Sequence, residues 1–321
     1  MPSSDRPPEL QAIIDEVMRL GEFASVDEIN SHLAERTHDY NATPQADLGG
    51  LSPDQMSQLL YGDWTTTGAL RLNETLGLAE LRDVAILADA RTLLQFIEAN
   101  GPIKETQAKY LPPKVVAALM PQLRLPAESR FAAAHGEPAP RKEADHLWLS
   151  ALRQTLMFAG LIARRTGLRV TPKGRELLVD ESAGELYALV FRTLFRGLDL
   201  RYFSGSNGHP GLQSTVPYSL LKLRTAARDW QTSEVLAEQA WLESAKDPPS
   251  ALDIEFEDLR HYAFRQRVLE PLVQFGLLEY RELPSERRWD LPAEYRVTPL
   301  FDRFLRISFK GKARRDPFLM R

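Results

Sequence analysis

The chain has 321 residues and no cysteine, which excludes disulfides and thiolate-bound metal and fits a reducing compartment. Its six histidines (32, 38, 135, 146, 209 and 261) are scattered, with no two at ligand spacing on one helix, so no metal site is expected. No uninterrupted apolar run approaches the length needed to span a membrane. The opening Met1-Pro2-Ser3-Ser4-Asp5 has no basic stretch followed by an apolar core and does not read as a signal peptide. A cytoplasmic, bacterial-type protein is the expectation. Catalytic signatures are missing as well. Neither GxxxxGK[ST] nor GxGxxG occurs around Gly205, Gly208 and Gly211, and no serine sits in a nucleophile elbow. Neither an enzyme nor a cofactor is expected.

What the chain does have is an uneven charge distribution beneath a net charge of −4. Residues 1–100 hold 6 Lys/Arg against 17 Asp/Glu, whereas residues 101–175 hold 13 against 5. An acidic amino-terminal region beside a basic middle suits a polyanion-binding unit with an acidic neighbour that screens it. Apolar content of 43% and charged content of 26% are ordinary for a folded globular chain, and the length leaves room for two or three domains.

The stretch from Leu156 to Gly174 reads as the end of an apolar helix, a glycine stop at Gly160, a short hairpin and a new helix. Leu161-Ile162 and Leu168-Arg169-Val170 are the two strands, with Arg164-Arg165-Thr166-Gly167 as the turn. Thr171-Pro172 restarts a helix, threonine as cap and proline at the first helical position. The pattern returns as Phe275-Gly276-Leu277-Leu278 followed by Tyr295-Arg296-Val297-Thr298-Pro299, with a longer loop carrying Pro284, Glu286, Arg287, Arg288 and Pro292. Both glycines stand where a left-handed residue closes a helix.

Upstream, Ser25 to Glu28 and Ser52 to Gln55 have capping-box spacing, the second with Pro53 at the first helical position. Helical periodicity is expected from near Glu74 to Asn100, a short strand at Ile103–Thr106, and a helix after Pro112-Pro113. A loop over 125–145, a third helix from Leu147 to Ala159, and a long helix from Gly184 to Phe203 follow. The fold class is therefore mainly α with small β-hairpins: tandem winged-helix units preceded by a helical amino-terminal region. The expected boundaries are 1–45, an acidic helical segment; 46–180, the first unit with its leading helices; 181–308, the second unit; and 309–321, a basic tail.

The hairpin segments Gly160-Leu161-Ile162 and Arg169-Val170-Thr171-Pro172-Lys173-Gly174 are similar to the wing of bacterial winged-helix regulators. Leu51 to Met56, Ile103 to Thr106 leading to Tyr110-Leu111-Pro112, and Leu198 to Tyr202 resemble an uncharacterised bacterial family often found near mobile elements. The resemblance spans most of residues 50–305. It implies the fold and carries no assigned activity.

In a DNA-binding winged helix the third helix enters the major groove and the wing touches the backbone. On that reading Arg153 and Gln154 are the helix contacts, Arg164, Arg165 and Arg169 the wing contacts, and Lys173 and Arg175 follow it. The acidic residues nearest to Arg164-Arg165 along the chain are Asp145 and Glu176, so both arginines are expected to be unpaired. The same helix is apolar at Leu152, Leu156, Met157 and Phe158, as a helix packed against protein would be. In the second unit Arg260, Arg265, Gln266 and Arg267 follow an acidic run, Asp253 to Asp258, that repels phosphate. The leading expectation is a nucleic-acid-binding or regulatory protein with DNA as partner. The alternative is a non-catalytic scaffold that binds protein or a second copy of itself.

Overall fold

The computed structural model describes residues 8–19, 23, 25–126, 141–204, 208–246, 259–284 and 292–310. The first elements are α1 (Pro8–Arg19), α2 (Val26–Ala42), α3 (Pro53–Leu60) and β1 (Leu70–Leu72). Then come α4 (Ala85–Asn100), α5 (Pro113–Leu119), α6 (Leu147–Phe158), β2 (Ile162–Arg164), β3 (Leu168–Val170) and α7 (Pro172–Glu176). After them lie α8 (Ala183–Gly197), α9 (Gly211–Ser214), α10 (Val216–Ala226), β4 (Gln231–Thr232) and α11 (Ser233–Ala240). The helix α12 joins Leu259–Phe264, a π-helical turn Arg265–Leu269 and Glu270–Gln274. The chain finishes with β5 (Leu278–Glu282), β6 (Ala293–Val297), α13 (Pro299–Phe304) and β7 (Leu305–Ile307). The architecture is mainly helical with small antiparallel sheets, and no described helix is long and apolar enough to cross a membrane.

Helices α6 and α12 end in the same way. Gly160 and Gly276 have φ of 73° and 67°, a region that costs glycine nothing. Around each, a Schellman pair of hydrogen bonds closes the helix: Gly160 N to Met157 O with Leu161 N to Leu156 O, and Gly276 N to Val273 O with Leu277 N to Leu272 O. The returning strand is then tied back to the glycine. Thr171 Oγ1 donates to Gly160 O at 2.8 Å, and Thr298 Oγ1 donates to Gly276 O at 2.6 Å. Thr171 also caps α7 by accepting from Gly174 N, a bond that Thr298 does not make for α13.

The repeat extends to whole units. In the first, α4 leads to Ile103, α5, α6 and the β2–β3 hairpin, with Ile103 bridged to Leu168 of β3. In the second, α10 leads to β4, α11, α12 and the β5–β6 hairpin, with β4 paired to β6. In both, the lone strand thus joins the returning arm of the hairpin. The π turn in α12 ends two residues before Pro271, which has no N–H to donate and would press on the carbonyl of a regular helix.

Between the repeats, α8 is the hub. Tyr187, Phe191, Leu194 and Phe195 are fully buried. Phe191 meets Trp64 at 6.0 Å, Phe275 at 4.9 Å and Phe304 at 5.1 Å between ring centres, joining segments from before, within and after the second repeat. Tyr187 Oη donates to Phe275 O at 2.5 Å, and burial pushes its pKa well up, keeping it a neutral donor. Burying each such ring contributes about 1.5–3 kcal/mol. The chain closes on itself where β1 pairs with β7, Leu70 opposite Ile307 and Leu72 opposite Leu305. Buried apolar residues consequently form one contiguous core from Met56 to Leu305.

Some expectations need correcting. The helix expected from Glu74 starts only at Ala85. Residues 73–84 form turns whose Glu74 and Leu76 carbonyls lie against Gly184, where an added Cβ would stand 2.4 and 2.6 Å away. Leu76, Leu81 and Val84 are buried, but by tertiary packing rather than on a helix face. The strand at 103–106 reduces to the Ile103 bridge. The long helix ends at Gly197 and resumes as a 3-10 turn at Leu200–Phe203. Within the loop expected at 125–145, Glu143–Asp145 is a 3-10 turn with Glu143 buried; residues 127–140 lie outside the described ones, as do Glu286, Arg287 and Arg288.

Candidate functional site

The helix expected to face DNA is interior. Along α6, Trp148 to Arg153, Thr155 and Leu156 are all buried, because α8 packs on one side and α4 on another. Arg153 is 3% exposed. Its Nε donates to Glu143 Oε1 at 2.6 Å, its Nη1 to Glu105 Oε1 at 3.3 Å and its Nη2 to Lys109 O at 3.1 Å. A guanidinium withdrawn from water needs such partners. Glu143 in turn accepts from Leu111 N at 2.5 Å. Arg153 is therefore a structural ion-pair residue and not a groove contact.

Glu105 also corrects the reading of Arg164. Its carboxylate, 6% exposed, accepts Arg164 Nε at 2.6 Å and Nη2 at 2.7 Å, a two-pronged pair that pushes the guanidinium pKa further up. Arg164 was expected to be unpaired because no carboxylate is near it in sequence; its partner lies 59 residues away. The other candidates separate likewise. Gln154 is half-buried, with its amide 3.4 Å from Ser150 Oγ. Lys173 Nζ donates to Ala159 O, satisfying the end of α6, and Arg175 pairs with Glu98 at 2.8 Å.

Arg165 and Arg169 are exposed on the hairpin, and neither has an ion-pair partner among the described residues. Arg169 has only a 3.4 Å contact with Thr166 Oγ1. The structure adds two cations that sequence reasoning missed. The Ile103–Leu168 bridge runs antiparallel, which sets Lys104 opposite Gly167 and Pro102 opposite Arg169. The Arg153 bond to the Lys109 carbonyl holds the 106–110 turn against the same network. Lys104 and Lys109 are exposed, and neither has a carboxylate partner among the described residues. The strand character of Ile103, which lets it pair with the hairpin, was the signal that could have placed Lys104 there.

The second hairpin is differently arranged. Arg281 of β5 sits directly across from Glu294 and Arg296 of β6 across from Glu279, paired at 2.5 and 2.7 Å. Both guanidiniums lie 4.7 Å from the Trp230 ring. On α12, Arg267 is 1% exposed, donating to Ser204 Oγ and to the carbonyls of Gly208 and His209.

Comparison with protein families, with curated proteins and with solved structures finds no match.

Proposed function

We propose that the chain is a tandem winged-helix protein whose first hairpin grips a nucleic-acid backbone without reading bases. The fold assignment is supported by the twice-repeated order of helix, strand, helix, helix and hairpin, with the lone strand on the same arm each time. Base reading through α6 is disfavoured by its burial and by the internal bonds of Arg153. One observation carries the backbone reading: Arg165 and Arg169 on the hairpin, and Lys104 and Lys109 on the segment tied to it, are exposed, while the hairpin's other arginine is already neutralised. Cations in that state neutralise phosphates and release counterions, so the duplex-DNA binding constant falls by about 0.9 log unit per contact for each tenfold rise in salt.

The test is fluorescence anisotropy with duplex DNA of two unrelated sequences over a salt series. Both should bind alike, and Arg165→Ala/Arg169→Ala should flatten the log–log salt dependence by about two contacts. If the wild-type protein shows no salt-sensitive binding to DNA or RNA near physiological ionic strength, the reading fails. The burial of α6 inside the chain removes base reading without offering a partner face, and a protein-binding scaffold on the same fold is the reading that takes over if that binding is absent.

A further inference from the structure

The amino-terminal hundred residues are strongly acidic, yet two of their six basic residues, Arg82 and Arg91, stand on the rim of one groove together with Arg124. The groove measures about 530 Å³, and its floor is apolar, made by Leu78, Leu81, Leu87 and Ala88. We propose that it docks an acidic amphipathic helix of a partner protein, apolar stripe down and carboxylates against the arginines.

Both walls are fixed before anything binds. On one side Asp89, fully buried in α4, accepts Arg124 N at 2.8 and 3.0 Å and Leu125 N at 2.8 Å. On the other, Glu80 Oε2 accepts Gly77 N at 2.7 Å and holds the 77–81 turn. A groove already built loses little to ordering on binding. The rim is only partly neutralised. Arg91 pairs with Asp180 at 2.5 Å, and Asp83 is exposed beside Arg82. Arg124 donates to the Arg82 carbonyl and has no ion-pair partner among the described residues, with the buried Asp89 carboxylate offsetting its charge only from a distance.

The chemistry of the groove selects its occupant. The floor comes from α4 and the turn before it, with no strand edge to extend, so an added β-strand has nothing to pair with. A nucleic acid would leave the leucine floor unused. A helix of about two turns presents three to four apolar residues on one stripe, with acidic flanks free to meet guanidiniums.

The test uses the full chain and a fluorescent synthetic helix of about four turns, with a leucine stripe and glutamate flanks, read by anisotropy. A second probe replaces the glutamates by lysine. The glutamate probe should bind at least about tenfold more tightly than the lysine probe. Ala88→Gln, which fills the floor at a half-buried helical position, and Arg82→Glu, at an exposed one, should each weaken it about tenfold or more. Arg165→Ala/Arg169→Ala should bind it as the wild type does, which separates this groove from the hairpin surface. Equal binding of the two probes, wild-type binding by Arg82→Glu, or displacement of the glutamate probe by duplex DNA would each overturn the assignment. Because Arg82 is exposed, that arm still decides if Ala88→Gln does not fold.

Discussion

The two hairpins share a backbone plan and differ in what their arginines face. In the second, each arginine of the β5–β6 ladder stands opposite a glutamate and over Trp230, so its arginines are neutralised and cross-braced. In the first, one arginine is claimed by Glu105 from below, and Arg165 and Arg169 are left in water. One supersecondary unit thus serves two ends. A ladder of opposite charges placed directly across strands stabilises a sheet, whereas unpaired cations stabilise nothing locally and remain available to an external anion.

The comparison breaks most visibly at the buried ion pairs. Arg153→Ala leaves Glu143 and Glu105 without their shared guanidinium and should cost about 3–5 kcal/mol in chemical denaturation. Arg296→Ala, in the exposed ladder of the other unit, should cost under about 1 kcal/mol. Similar values for the two would remove the distinction between an internal network and a surface brace.

Next come the two helix-closing glycines. Left-handed backbone costs a residue with a Cβ about 1–2 kcal/mol, and a β-branched side chain more. Gly160→Val and Gly276→Val should both lower the melting temperature. The second should lose more, because a Cβ at 276 would meet Val84 Cγ2 at 3.4 Å while one at 160 meets nothing within 4 Å. Equal losses would mean that backbone strain alone decides.

Within the first hairpin, Arg164→Ala leaves the nearly buried Glu105 carboxylate with only its 3.3 Å contact to Arg153 and should cost about 1–2 kcal/mol, whereas Arg165→Ala should stay within about 0.5 kcal/mol. Thermal melts of the two single variants would show whether adjacent arginines divide structure and surface in this way.

The smallest effect concerns the clamp behind both units. Asp63 precedes β1, the strand that pairs with β7, and holds the turn between them. Partial burial raises its pKa, but hydrogen bonds from Thr65, Thr66 and Thr67 outweigh that and hold it well below the ordinary 3.8. A lowered folded pKa means its stabilisation is complete above 3.8 and is lost as pH falls below that value. Asp63→Asn should therefore lower stability modestly at neutral pH, where the carboxylate contributes in full, and flatten the acid limb so that the two proteins converge as pH falls. An unchanged acid limb would assign acid sensitivity to other carboxylates.

Local chemistry was legible wherever a residue acts on its near neighbours. The glycine stops, the Ser52–Gln55 capping box and the threonine after each hairpin all depend on contacts a few residues away along the chain, or on a hairpin that brings its own ends together. Lys104 and Lys109 were not legible as parts of the same surface as Arg165, because only the pairing of Ile103 with Leu168 and the bond from Arg153 to the Lys109 carbonyl gather them.

The sequence by itself determined that this is a mainly helical chain with two helix–glycine–hairpin units, since helix stops and strand alternation are set by backbone conformation and side-chain periodicity. Only the tertiary structure decided which arginines carry free charge. Glu105 and Glu143 reach Arg153 from 48 and 10 residues away, and α8 seals the helix between them. Whether a guanidinium is a structural cation or a binding one depends on the carboxylates and solvent around it in space, which order along the chain does not record.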